Sequence, residues 1–188
     1  MKLALILVGN FLEELKNGRF ESERLLFRGI GADDADNLVR WRSREDVYRY
    51  SRSPAPVTPG EHASWFLSYA SRINEIRFVI TAKTTGKDIG MVGGVYEDGV
   101  FAISYYVGEP EYRGRGLAGE AILAMIDCLR AGLPTAKVCA YVHEDNKNSI
   151  ACINKIGFTL IKGETLEKLG KYEYCPDTLR TEKPNAKK

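Results

Sequence analysis

Histidine is nearly absent from this 188-residue chain: His62 and His143 are the only two, and no Cys-x-x-Cys or His-Glu-x-x-His spacing occurs. Zinc centres are built from those groups at those spacings, so neither a structural zinc nor a zincin site can be assembled and a catalytic metal is not expected. An excess of charge is lacking too. Lys and Arg number 27 against 25 Asp and Glu, a formal +2, which provides no general field for nucleic acid or an anionic membrane, so any acidic ligand must be held locally. Long apolar runs are missing as well. Leu3 to Val8 follows a single Lys but falls far short of the roughly 20 residues a membrane span needs, and no small-residue cleavage site follows it. An extra helix is the better reading, because Phe11, Leu12 and Leu15 continue its apolar face until Asn17 and Gly18 stop it. The four cysteines, Cys128, Cys139, Cys152 and Cys175, lack the short intervals of a disulfide scaffold, which favours reduced thiols and a cytoplasmic location.

What is present is ordinary for one globular domain: 44% hydrophobic and 28% charged residues. Leu25 to Ile30 is strand-like, and Asp33 or Asp34 can cap a helix running through Leu38 and Trp41. Ser51 to Gly60, with Pro54, Pro56 and Pro59, is a loop, and Glu61 to Ile73 a second helix. The period then changes. Arg77–Ala82, Asp88–Tyr96 and Val100–Val107 are β-rich runs separated by turn residues, which predicts an antiparallel meander. Gly116–Ala131 is helical, Lys137–His143 a buried-type strand, Asn148–Lys155 a short helix, and Phe158–Ile161 a strand, with Tyr172–Cys175 able to add another. The fold class is therefore α/β, a mixed sheet in which a meander is followed by a parallel β-α-β crossover. Residues 1–20 form an N-terminal extension, 21–176 the domain and 177–188 a polar tail, solvated and frayed at Thr181–Lys188.

The most informative segment runs from Tyr105 through Gly108 and Glu109 to Gly119 and Glu120, with Arg113-Gly114-Arg115-Gly116-Leu117-Ala118-Gly119 at its centre. A strand enters a glycine-rich turn that opens a helix. Such a turn presents several backbone N–H groups at the positive end of a helix and lets a phosphate approach the main chain, so it predicts a pyrophosphate cradle. Gly114, Gly116 and Gly119 also satisfy G-x-G-x-x-G, with Glu144 and Asp145 ending the following strand, so a dinucleotide-binding crossover is one reading and a plain helix-start turn another. Against the dinucleotide stand the preceding meander and the roughly 70 residues that remain, too few for a doubly wound domain.

Arg113-x-x-Gly116-x-Ala118 resembles the Gln/Arg-x-x-Gly-x-Gly/Ala signature of the GNAT family of N-acetyltransferases, which binds the pyrophosphate of acetyl-CoA. Asn146-Lys147-Asn148-Ser149, followed by Asn154-Lys155-Ile156-Gly157-Phe158, is similar to a second block of that family. The resemblance extends from Arg24 to about Tyr174, and it implies a GNAT-like acyl-CoA N-acyltransferase fold with acetyl-CoA as cosubstrate. It further implies that main-chain N–H groups from Arg113 to Gly119 hold the CoA tail, with the Arg113 and Arg115 side chains near the phosphates. Val107 and Gly108, ending a strand that splays from its neighbour, would meet the pantetheine and acetyl oxygen. By the same likeness Asn146 meets the pantetheine and Ser149 donates a proton to the departing thiolate, although both residues also suit helix capping. The tyrosine acid of many members is replaced by Ile153, and their early-strand glutamate by Ala102 and Ile103. His143, Glu97 and Asp98 are the remaining candidates for a base, His143 because an imidazole is the side chain suited to taking a proton near neutral pH.

Acceptor specificity is expected from the first two helices, where Trp41 and Arg42, and later Glu61-His62-x-x-Trp65, resemble GNAT enzymes that acetylate nucleotide-linked 4-amino sugars. At helical spacing Trp41, Trp65 and Phe66 equally suit a core. A protein N-terminal or other small-amine acetyltransferase is the main rival, since Glu23-Arg24-Leu25 and the Asn-x-x-Ser block resemble that branch as well. A non-catalytic CoA-binding module is the rival of another class. The partners expected are acetyl-CoA and an amine acceptor, without nucleic acid or membrane. Residues 1–20 are free in this reading to pack on the domain or to join a homodimer.

Overall fold

The computed structural model describes residues 2–166 and 168–175, with side chains from residue 7 onward. A helix, α1 (Lys2–Lys16), leads through a short strand β1 (Arg19–Glu21) to β2 (Leu25–Gly29). Three helices follow, α2 (Ala35–Arg42), α3 (Glu45–Tyr48) and α4 (Pro59–Ala70), and then the meander β3 (Glu75–Ala82), β4 (Lys87–Glu97) and β5 (Val100–Val107). The rest of the domain is α5 (Leu117–Gly132), β6 (Lys137–His143), α6 (Lys147–Lys155), β7 (Phe158–Leu166) and β8 (Leu169–Tyr174). The described strands form one sheet in the order β1-β2-β3-β4-β5-β6-β8-β7.

Among these pairs only β5 and β6 run parallel, so the expected mixed sheet is present. The crossover through α6 differs in one respect from the expectation. β8 pairs antiparallel with both β6 and β7 and therefore sits between them, leaving β7 at the sheet edge. The meander turns as its sequence requires: Asp98 and Gly99 both have positive φ, 49° and 84°, the left-handed pair that joins two strands with the natural sheet twist. Glu97 and Asp98 thus belong to a hairpin turn and are not placed as bases.

Helix starts follow local chemistry, with two shifts from the sequence reading. Thr58 caps α4: its Oγ1 accepts from the Glu61 N–H at 3.3 Å while a Glu61 carboxylate oxygen accepts from the Thr58 N–H at 2.8 Å. Pro59 then fills the first helical position, where a missing N–H costs nothing, so this helix begins two residues before Glu61. Asp34 does not cap α2 with its side chain. Its carboxylate instead accepts two guanidinium hydrogen bonds from Arg28, at 2.8 and 2.7 Å, and the Gly31 N–H at 2.8 Å.

Side-chain alternation along the strands gives the sheet two unlike faces. On one, Phe78, Phe101 and Ile103 pack with Ile122 and Met125 of α5. The other carries Arg77, Ser104 and Tyr106, met by α2 and α4 through Trp41 and Tyr69. The second half of α1 packs on the domain. Leu12 of α1 is fully buried within the main core, and the Lys16 ammonium donates to the Tyr69 carbonyl at 2.7 Å. Leu12→Ala is therefore expected to lower stability by about 2–5 kcal/mol, read as a shift in urea midpoint. A loss near zero would make α1 an appendage.

Candidate active site

β5 and β6 keep company for only four residues, Val100–Ile103 against Lys137–Ala140. Beyond Ala140 the outer edge of β6 is occupied by β8, which pairs Tyr141 with Lys171 and His143 with Leu169. The end of β5 stays with β4: the N–H groups of Gly108 and Glu109 both donate to the Ile89 carbonyl, at 2.8 and 3.1 Å. The two strands consequently part. At the paired end the Lys137 N–H donates to the Gly99 carbonyl at 2.9 Å, so odd-numbered residues of β5 direct their backbone groups toward β6 and even-numbered ones toward β4. This alternation sends the N–H groups of Tyr105 and Val107 into the opening. It also corrects one expectation, because the Gly108 N–H is already committed to Ile89, so that of Val107 and Gly108 only the former offers a donor there.

Gly108 has a different task. A Cβ at this position would lie 2.2 Å from Cγ of Trp41, so only glycine lets the indole close over the main chain. Trp41 itself is fully buried, and its N–H donates to the Glu109 carboxylate at 3.0 Å. The expected acceptor role of Trp41 is thereby corrected: it is a wedge that sets where β5 ends. Glu109, 5% exposed, also accepts from Arg40 and lies 3.5 Å from the Lys87 ammonium. The Arg40 hydrogen bond first, then that of Trp41 and the nearby cations, outweigh burial and hold this carboxyl at about 2.

The glycine-rich turn has the form its sequence predicts. Gly114 and Gly116 adopt left-handed φ of 71° and 77°, which lets the chain double back into α5. No hydrogen bond is donated within the described residues by the N–H groups of Gly114, Arg115 and Gly116, and those of Leu117, Ala118 and Gly119 open α5 without intrahelical acceptors. Gly119 is buried against α6, where a Cβ would meet Ile156 at 3.2 Å. A run of free donors at the positive end of a 16-residue helix is the backbone arrangement that receives a pyrophosphate.

The two arginines of the turn diverge. Arg113 does not reach outward: its guanidinium donates to the Val107 carbonyl at 2.8 Å, the Gly108 carbonyl at 3.3 Å and Asp46 at 2.7 Å. It satisfies the carbonyl that the parting strands leave open, which corrects its expected place on the phosphates. Arg115 is exposed, stacked near the Tyr112 ring and without a carboxylate partner among the described residues, so it alone of the pair is free to meet an anion. The turn is tethered from β2 by Arg24, which donates to Glu120 at 2.6 Å and to the Arg115 carbonyl at 3.0 Å.

Across the opening, Asn146 caps α6 by accepting the Ser149 N–H at 3.1 Å. Ser149 does not cap; its Oγ lies 2.6 Å from the Tyr105 hydroxyl. His143 points to the other face, its ring 5.5 Å from that of Tyr50. The Asp145 N–H donates to Nδ1 at 3.2 Å, and the Asp145 carboxylate lies 3.7 Å from the same nitrogen. Beside it, Tyr106 and Arg42 line the sheet face. Arg42 is half-buried and makes no hydrogen bond or ion pair among the described residues, and burial pushes the Tyr106 phenol up, opposed by the Arg42 and Arg77 charges.

Sequence reasoning missed Glu109, Tyr105 and the Arg24–Glu120 tether. A signal existed for Tyr105, since alternation from Phe101 and Ile103 places it toward α5 and α6. The single parallel pair in the sheet also rules out the dinucleotide reading, which needs a doubly wound parallel sheet.

A parted strand pair beside a donor-rich helix start can hold a thioester and its phosphate tail together, and the similarities to known proteins agree. Residues 24–159 match the acetyltransferase (GNAT) domain family. The chain is 30% identical over 147 residues to the uncharacterized N-acetyltransferase p20 of Bacillus licheniformis, spanning 73% of this chain and 80% of that protein. Spermidine N-acetyltransferase from Vibrio cholerae, solved with CoA and spermine, superposes with a TM-score of 0.69 at 17% identity over 81% of this chain and 94% of that one. Ribosomal-protein-S5-alanine acetyltransferase from Vibrio fischeri superposes at 0.61 and 17% identity, over 83% and 94%. The chain belongs to the GNAT family and is an N-acetyltransferase.

The Glu109 anchor has a pH signature. Its folded carboxyl is depressed from 4.5 to about 2, so its contribution is fully present above the unfolded value and is lost as pH falls through the window from about 5 to 2. Because Arg40 is half exposed, solvent screens the pair, and the contribution is on the order of 1–2 kcal/mol. Urea unfolding across this window is expected to show wild type losing more stability than Glu109→Gln; parallel curves would remove the anchor.

Proposed function

We propose that this enzyme moves the acetyl group of acetyl-CoA to a primary amine by direct attack in a ternary complex, and that its acceptor carries negative charge, as a nucleotide-linked 4-amino sugar does. The N–H groups from Gly114 to Gly119 receive the pyrophosphate, with Arg115 beside them. Val107 and Tyr105 supply backbone donors to the pantetheine and acetyl oxygen, which polarise the carbonyl where charge develops. The amine nitrogen bonds to the carbonyl carbon as the carbon–sulfur bond breaks. Ser149 donates a hydrogen bond to the departing thiolate, which takes its proton from solvent, and the amine releases one to water. With the amine releasing its proton to water, the rate is expected to follow the acceptor's own ionisation.

The observation that carries the acceptor class is the charge on the face opposite α5. Arg42 has no counter-ion among the described residues, and the buried carboxylates on that side are spent: Glu75 is bound by Arg72 and Arg77, and Glu109 by Arg40. A polyamine would find no buried carboxylate free there, whereas a phosphate or carboxylate would find a half-desolvated guanidinium. The test is CoA release from acetyl-CoA, with mass detection of product, on matched panels of nucleotide-linked amino sugars, amino-terminal peptides and polyamines. Turnover is expected on the first panel, with Arg42→Ala raising KM about tenfold or more and leaving kcat within a few-fold. Turnover confined to polyamines would contradict the anionic acceptor, and turnover on peptides alone would move the assignment to protein N-termini.

A further inference from the structure

The hydroxyls of Tyr105 and Ser149 lie 2.6 Å apart, joining the last turn of the parting strand to the first turn of α6. Their surroundings constrain what this contact can be. Ser149 is fixed from behind by Asn146, which takes its backbone N–H. Tyr105 stands on the core side of β5, packed against the apolar cluster, and Ser149 is the one hydrogen-bond partner of its hydroxyl among the described residues. A phenol is a far stronger acid than an aliphatic alcohol, so the favoured polarity has the Tyr105 O–H donating to the Ser149 oxygen. That choice leaves the single serine proton uncommitted. Since the Tyr105 N–H faces the opening, the same residue marks where the thioester would lie.

We propose that Tyr105 is a positioning residue: by donating to Ser149 Oγ it aims the serine O–H at the CoA sulfur, so that the hydroxyl pair stabilises the departing thiolate. The inference rests on Ser149 being the group that meets the sulfur. It goes further in assigning the second hydroxyl, which comes from a different element. Charge gathers on sulfur as the carbon–sulfur bond breaks; the serine proton donates to it while the phenol hydrogen bond shortens behind, and no group other than the thiolate need become charged. Burial supports this arrangement by keeping the phenol protonated and hence a donor.

The test needs no acceptor, because product CoA presents the same thiolate. The thiol of CoA bound to the full chain is titrated by thiolate ultraviolet absorption, with the complex of CoA lacking its sulfur as reference. That reference cancels the protein's own thiols, including Cys152, which lies near the Tyr105 hydroxyl. Wild type is expected to hold bound CoA with a larger thiolate-to-thiol ratio than free CoA at the same pH. Tyr105→Phe and Ser149→Ala are each expected to lower that ratio by about tenfold, and the double variant no further than either alone. Fluorotyrosine at position 105, a stronger donor of nearly the same shape, is expected to raise it, which a packing role would not do. If Ser149→Ala lowers the ratio and Tyr105→Phe does not, the positioning role is overturned while Ser149 stands. If Ser149→Ala matches wild type, the reading of Ser149 fails and this inference with it.

Discussion

The parting of β5 from β6 is the constraint on which the rest of the site depends. A strand that leaves its neighbour exposes backbone donors and acceptors, and each group left dry and unpaired costs roughly 1–3 kcal/mol. The chain meets this cost from both sides. β6 is drawn away by β8, and β5 is held by Ile89, by the Trp41 wedge over Gly108 and by the buried Glu109. Arg113 covers the Val107 carbonyl. The Tyr105 and Val107 N–H groups remain turned toward the opening, the donors that an incoming thioester can use.

Much of this architecture was legible in the sequence. Val100–Val107 and Lys137–His143 were bounded correctly because both are short, β-rich and closed by turn residues. The glycine-rich turn was visible because left-handed backbone at Gly114 and Gly116 demands that residue type. What stayed hidden depends on tertiary partners. Sequence gives Arg113 a position in a signature but not a direction, and its guanidinium turns inward because Val107 and Asp46 are there to receive it. Trp41 beside Arg42 suggests recognition, yet the indole is fully buried and of the two only Arg42 makes no hydrogen bond or ion pair among the described residues. The insertion of β8 between β6 and β7 is a pairing choice between distant strands, which local pattern does not record. The Glu97-Asp98-Gly99 hairpin is legible for the opposite reason: it is wholly local.

Fold and acceptor are carried by different parts of the molecule. The fold is shared with spermidine N-acetyltransferase from Vibrio cholerae and ribosomal-protein-S5-alanine acetyltransferase from Vibrio fischeri, and a common fold leaves the acceptor undetermined. Selectivity then falls to side chains on the face opposite α5. There the buried acids are neutralised by arginines already in the fold, and Arg42 is left over. That surplus, rather than overall charge of +2, is the electrostatic basis of the anionic acceptor we propose. An apolar cavity of about 470 Å³ between α2 and α4 is lined by Val39, His62 and Phe66 among others, and Arg40 stands at its wall.

Residue-resolved amide hydrogen exchange with and without acetyl-CoA tests the central claim most directly. The parted strands predict slowed exchange at the Tyr105 and Val107 amides and across Gly114–Gly119, with little change at Gly108, whose N–H is already bound to Ile89. Protection confined to the groove between α2 and α4, with the β5 end and the glycine-rich turn unchanged, would contradict the account.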